Sequence, residues 1–109
     1  MLTAKDFRQL ALSLPNVVEE PHFEKTSFRV NKKIFATMDE ENQRICLMLS
    51  VEDQSVFCLH DKNTIYPVPN KWGQKGATFA ELTTVHPDIL KDALTVAYEG
   101  KVKKKVAKA

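Results

Sequence analysis

Glycine is scarce in this chain, at 3 residues in 109, and cysteine scarcer, at 2. So little glycine excludes collagen-like repeats and flexible glycine-rich linkers. It also leaves no phosphate-cradling loop, because Gly73-Gln74-Lys75-Gly76 is shorter than a Walker A loop and lacks its following Ser or Thr. Cys46 and Cys58 have no CxxC spacing and are too few for a disulfide framework, so in their apolar surroundings they read as buried free thiols. His22, His60 and His86 are scattered singly, which supplies no metal-ligand spacing and no expected metal or cofactor. No apolar run approaches the roughly 18 residues needed to cross a bilayer. Asp6 and Arg8 interrupt the stretch where a signal peptide needs unbroken apolar residues, so the expected location is cytoplasmic, without a membrane partner.

What is present is a globular balance, with 43% hydrophobic and 28% charged residues. A chain of this size supports one core, because two smaller ones would not offset their own chain entropy. Charge is distributed unevenly. The net charge is +2, but residues 101–109 contain five lysines and no acid, leaving 11 basic against 14 acidic side chains in residues 1–100. The expected organisation is therefore one mildly acidic domain over 1–100 and a lysine-rich tail over 101–109, frayed or flexible because it has no apolar stripe to pack.

The local patterns predict an α+β domain. Thr3 can N-cap a first helix with Asp6 three residues on, and Phe7, Leu10, Ala11 and Leu14 follow at helical spacing until Pro15. Short β-prone runs come next. The first, Val17 to Glu20, is interrupted by Pro21. Thr26 to Val30 alternates, and Asn31-Lys32 supplies a tight turn into Lys33 to Met38, which makes a hairpin. Asp39 to Gln43 reads as a solvated loop. Arg44 to Leu49 is apolar on both faces, as expected of a central strand covered on each side, in a meander without crossover helices. Ser50, with Asp53 three residues on, can cap a short helix through Leu59, followed by a loop at His60 to Asn63. Two prolines and two glycines in Ile65 to Gly76 argue for an irregular segment or an edge, and Ala77 to Leu82 alternates as a last strand. Pro87 and Asp88 suit the first turn of a final helix with Ile89, Leu90, Ala93, Leu94 and Ala97 as its apolar stripe and Gly100 as its C-cap.

The runs LSLPNVVEEPHF, SFRVNKKIFATM, KWGQKGATFAEL and ILKDALTVAYE together resemble the MmcQ/YjbR family of small bacterial proteins over about residues 5–99. The strongest points are Leu14-Pro15 and the hairpin Val30 to Ala36. The chain departs from that family's pattern at Ala77, which follows Gly76 where many relatives carry an aromatic. The resemblance implies a two-layer fold like that of frataxin-like CyaY, with the N- and C-terminal helices packed on one face of an antiparallel sheet. It also implies DNA as a partner, by similarity to a double-wing arrangement of hairpins, and no catalytic residues.

If DNA is the partner, phosphates meet Lys and Arg on hairpins and loops. The candidates are Arg29, Lys32 and Lys33 on the first hairpin, Lys71 and Lys75 around Trp72, and Lys101, Lys103, Lys104 and Lys105 at the C-terminus. Trp72 can stack on a base or wedge into a groove; alternatively it caps the edge of the core while the lysines solvate a turn. The acids Glu19, Glu20 and Glu24 before the hairpin, and Asp39, Glu40 and Glu41 after it, weaken the field unless the fold separates them. Two other classes compete. His22 near Glu19, Glu20 and Glu24, with His60-Asp61, is the one pattern suited to general-base chemistry, but no Ser or Cys stands in a nucleophile context, so an enzyme is not expected. A non-enzymatic protein-interaction or small-ligand module is the alternative, using a sheet face that exposes Cys46 and Met48 with Phe35. The expected state is a monomer or a weak homodimer.

Overall fold

The computed structural model describes residues 2–23, 25–59 and 62–102. Its first helix, α1 (Ala4–Leu12), begins with a reciprocal cap: Asp6 N donates to the Thr3 hydroxyl at 3.1 Å, and Thr3 N donates to the Asp6 carboxylate at 3.0 Å. Asp6 thus substitutes for the longer Glu usual at this position. Helical spacing then puts Phe7 and Ala11 on the buried side.

Four strands follow: β1 (Val18–His22), β2 (Lys25–Val30), β3 (Lys33–Asp39) and β4 (Arg44–Met48). The first strand runs through Pro21 rather than stopping at it. Proline is tolerated there because β1 is the edge of the sheet, where a missing N–H removes no necessary ladder bond. Asn31 and Lys32 join β2 to β3 with φ of 53° and 66°, the left-handed pair that matches strand twist in a two-residue hairpin.

Beyond β4 the chain forms α2 (Val51–Phe57), capped by the Ser50 hydroxyl and ending at Cys58 rather than at Leu59. Next come β5 (Ile65–Pro67), the single turn α3 (Lys71–Gln74), β6 (Ala77–Glu81) and α4 (Pro87–Val102). The sheet order is β1-β2-β3-β4-β6-β5, with every pair antiparallel. The meander therefore ends at β4. The chain goes out to the far edge as β5 and returns between β4 and β5 as β6, because the more apolar, two-sided β6 takes the interior position and the proline-bearing β5 the edge.

The terminal helices cover one face. α4 lies across β2, β3 and β4. Phe7 of α1 meets Phe28 edge-to-face at 5.5 Å, and Tyr98 of α4 meets Phe35 at 5.6 Å. Tyr98 also donates its hydroxyl to the Pro15 carbonyl at 2.7 Å, tying the end of one helix segment to the other. Each fully buried side chain of this kind contributes about 1.5–3 kcal/mol.

Three further expectations change. β4 is covered on one side, with Ile45 and Leu47 buried and Cys46 half-buried on the other. Phe35 does not join Cys46 on that open face. A register shift between Phe28 and Arg29 leaves Phe35 as the extra residue of a bulge, and it turns into the core with Ala36. Gly100 does not cap α4, which continues to Val102 because Val102 packs on the core. Lys101 is thus helical, while residues 103–109 lie outside the described residues.

Lys32 is a non-glycine residue in a left-handed conformation, so Lys32→Gly is expected to raise stability by roughly 0.5–1 kcal/mol in urea denaturation. The carboxyls of Asp6 and Asp39 are both held below their ordinary value of 3.8, Asp6 by hydrogen bonds from Thr3 and Asp39 by those from Asn42. A depressed folded value means stability that is fully present above the unfolded value and lost as pH falls through the folded one. Melting temperature should therefore drop as pH is lowered from about 5 to about 2, and Asp39→Asn should flatten part of that drop.

Candidate nucleic-acid interface

The strand registers decide which charges share an end of the sheet. Val30 pairs with Lys33 at the β2–β3 tip, Ala36 with Leu47, and Met48 with Ala77. The tip residues Lys32 and Lys33, the start of α2 and the α3 turn before β6 therefore lie at one end. The last turn of α4 joins them, since Gly100 and Lys101 line a shared cleft with Met48, Leu49, Ser50 and Asp53. Lys32, Lys33, Lys71, Lys75 and Lys101 are thereby collected at this end, with Glu52, Asp53 and Glu99 as the acids nearby. Asp39, Glu40 and Glu41 lie beyond the far end of β3, roughly 20 Å away at about 3.3 Å per residue. That distance exceeds two Debye lengths at physiological salt, so the acidic loop is screened from the basic end.

Lys32, Lys33, Lys71 and Lys75 are exposed and have no carboxylate within ion-pair distance among the described residues. Arg29 differs. It lies on the open sheet face, where its guanidinium donates to the Ser27 hydroxyl at 3.0 Å and approaches Glu20 at 3.9 Å. Lys103, Lys104 and Lys105 lie outside the described residues.

Trp72 does not cap the core. It is 64% exposed, with Lys75 Nζ 5.5 Å from its ring centroid. The turn carrying it is tightly mounted. The Asn70 side chain accepts from Trp72 N at 2.8 Å, and the buried Gln54 amide of α2 donates to the Gly73 carbonyl at 2.8 Å and the Ala77 carbonyl at 3.0 Å. A Cβ on Gly73 would lie 1.7 Å from the Val68 carbonyl oxygen, so only glycine permits this approach. Beside the turn is an open depression of about 480 Å³ lined by Gln54, Pro67, Val68, Pro69, Asn70, Gly73 and Gln74.

The general-base pattern at His22 does not assemble among the described residues. Glu19 takes Arg8 at 2.6 Å, Glu20 faces Arg29, and His22 packs edge-on against the Phe23 ring at 4.9 Å. Glu24, His60 and Asp61 lie outside the described residues. No group of three metal-ligating side chains occurs among the described residues. Both cysteines are free thiols, half-buried rather than buried, and burial pushes each thiol above its ordinary value, so they carry little thiolate. No described helix is long and apolar enough to cross a membrane.

One cluster has no counterpart in the sequence patterns. On the open face Arg44 donates to Glu81 at 3.0 Å and stacks over Phe79 at 4.7 Å, while the Tyr66 hydroxyl donates to the same carboxylate. Burial, then the Glu81 hydrogen bond, raises the Tyr66 phenol above its ordinary value. Alternation puts Phe79 and Glu81 on one face, but their meeting with Arg44 and Tyr66 depends on β6 lying between β4 and β5.

These features define a small α+β domain with a half-covered antiparallel sheet and a lysine-bearing end. The YjbR family model matches residues 12–100, and the chain belongs to the YjbR family. The fold is similar to the crystal structure of Deinococcus radiodurans protein DR2400, which carries a DUF419 domain: the TM-score is 0.79 at 24% identity, covering 96% of this chain and 81% of that one. No curated protein matches the chain.

Gln54 ties α2 to the α3 turn at Gly73 and to the start of β6 at Ala77, so Gln54→Leu should keep the volume while losing two buried hydrogen bonds. The expected cost is about 1–3 kcal/mol, read from chemical denaturation, with faster hydrogen exchange at Gly76 marking the loosened turn.

Proposed function

We propose that the protein is a cytoplasmic, non-enzymatic DNA-binding protein that makes weak, largely sequence-independent phosphate contacts through the lysine-bearing end of its sheet. The observation that carries this reading is the collection of Lys32, Lys33, Lys71, Lys75 and Lys101 at one end, away from Asp39, Glu40 and Glu41. Lysines that neutralise phosphates release condensed counterions, and this term supplies nearly all sequence-independent affinity. Arg29 contributes less, since its guanidinium already serves Glu20 and Ser27. Lys103, Lys104 and Lys105 follow Lys101 in the sequence and lie outside the described residues. The low positive total charge keeps the affinity weak.

A protein-interaction or small-ligand module on the open sheet face is the second reading, supported by the row Thr37, Cys46, Phe79 and Tyr66 that neighbouring strands align there. It fits a monomer or a weak homodimer. The cluster of Arg44 with Glu81 makes that face less apolar than a stable homodimer core requires.

Fluorescence anisotropy of a labelled duplex across a salt series tests the first reading. The logarithm of affinity should fall with the logarithm of salt by about 0.9 per neutralised phosphate, and Lys32→Ala with Lys33→Ala should reduce that slope by about 1.8. Glu40→Gln with Glu41→Gln should leave it unchanged. No binding at low salt would remove the proposal and favour the sheet-face module.

A further inference from the structure

Resting on that reading, we infer that Trp72 is a stacking platform for an unpaired base, so that the lysine-bearing end takes single-stranded nucleic acid in preference to duplex. Three observations converge on it. The chain's single tryptophan is left 64% exposed, an unusual place for so large an apolar ring in a domain with a well-filled core. Its mounting is rigid. Asn70 holds its backbone N–H, Gln54 holds the next carbonyl, and Gly73 rests against the Val68 carbonyl so closely that no side chain fits between. A turn held this way loses little backbone freedom when a ligand covers the ring it carries, which favours preorganised binding.

The surrounding charge specifies the ligand. Lys71 precedes the ring and Lys75 stands 5.5 Å from its centroid, while Lys32 and Lys33 occupy the β2–β3 tip at the same end, three strand positions or roughly 14 Å along the sheet. A flat aromatic face among cations matches the repeating unit of a polynucleotide strand, in which each planar base is tied to a phosphate. Stacking on aromatic side chains beside a basic groove is how sequence-tolerant single-strand binding is built. A paired base offers no free face. To use the same ring, a duplex must be unstacked by a wedge at a cost that a single strand does not carry.

The fluorescence of Trp72 provides a direct readout, because no other tryptophan contributes. The full chain is titrated at one low salt concentration with oligodeoxyuridylate of about 16 nucleotides, with oligouridylate of the same length, and with a duplex of equal phosphate content. Tighter binding of either single strand than of duplex, with quenching of the indole emission, is expected; the better of the two single strands identifies the sugar, and equal binding means that stacking acts without sugar selection. Trp72→Ala should weaken single-strand binding by about 5- to 100-fold while leaving duplex binding within about twofold, and Trp72→Phe should retain most of the affinity. Because the ring is exposed, Trp72→Ala should melt like the parent, which separates lost stacking from lost fold. Duplex bound as tightly as single strands, or a Trp72→Ala variant that binds single strands like the parent, overturns this inference and leaves the proposed function standing. Absence of binding to all three probes overturns both.

Discussion

Gly76 sits so close to the chain at Leu49 that a Cβ added to it would lie 1.9 Å from the Leu49 carbonyl oxygen, and its φ of 113° belongs to a region that side chains avoid. At this point the chain, having run out to the sheet's edge, turns back between β4 and β5. The Leu49 N–H donates to the Gly76 carbonyl at 3.3 Å, and the Met48 to Ala77 pairing begins immediately beyond. A bulkier residue would push β6 away from β4. The register of the last three strands, the mounting of the α3 turn and the position of its lysines all depend on this approach.

The same constraint organises both surfaces of functional interest. It delivers Lys71, Trp72 and Lys75 to the end of the sheet where the β2–β3 tip already presents Lys32 and Lys33. It also aligns Phe79 beside Cys46 and Tyr66, and brings Glu81 to Arg44, on the face the helices leave open. At the first surface Lys32, Lys33, Lys71 and Lys75 have no carboxylate within ion-pair distance among the described residues. The second has its charges already satisfied by one another. That contrast, more than the total charge of +2, is why the basic end is the better candidate for a phosphate-bearing partner.

Much of the local structure was legible in advance. Thr3 with Asp6, Ser50 with Asp53, and the Asn31-Lys32 turn act through neighbours in sequence, and each is found where the pattern predicts. Errors arose where a residue's partner is distant. Pro21 looked like a strand end because nothing local marks an edge strand, and Gly100 looked like a cap because nothing local reveals that Val102 has a packing partner. Phe35 is expected on the open face with Cys46 and Met48, and the single bulged residue turns it into the core instead. The candidate lysines could be named from the sequence, but their common end could not.

The sequence by itself determined the number and kind of elements, their caps and turns, the family and the uneven charge. These rest on interactions within a few residues, or on a pattern spread along the whole chain. Tertiary structure alone decided that the strands run β1-β2-β3-β4-β6-β5 and that acidic and basic loops lie at opposite ends. Strand order is set by pairings between residues some 30 positions apart, such as Met48 with Ala77, and by the close passage of Gly76 beneath Leu49. Periodicity specifies which side chains share a face of one strand, and carries no information about which strand lies next to it.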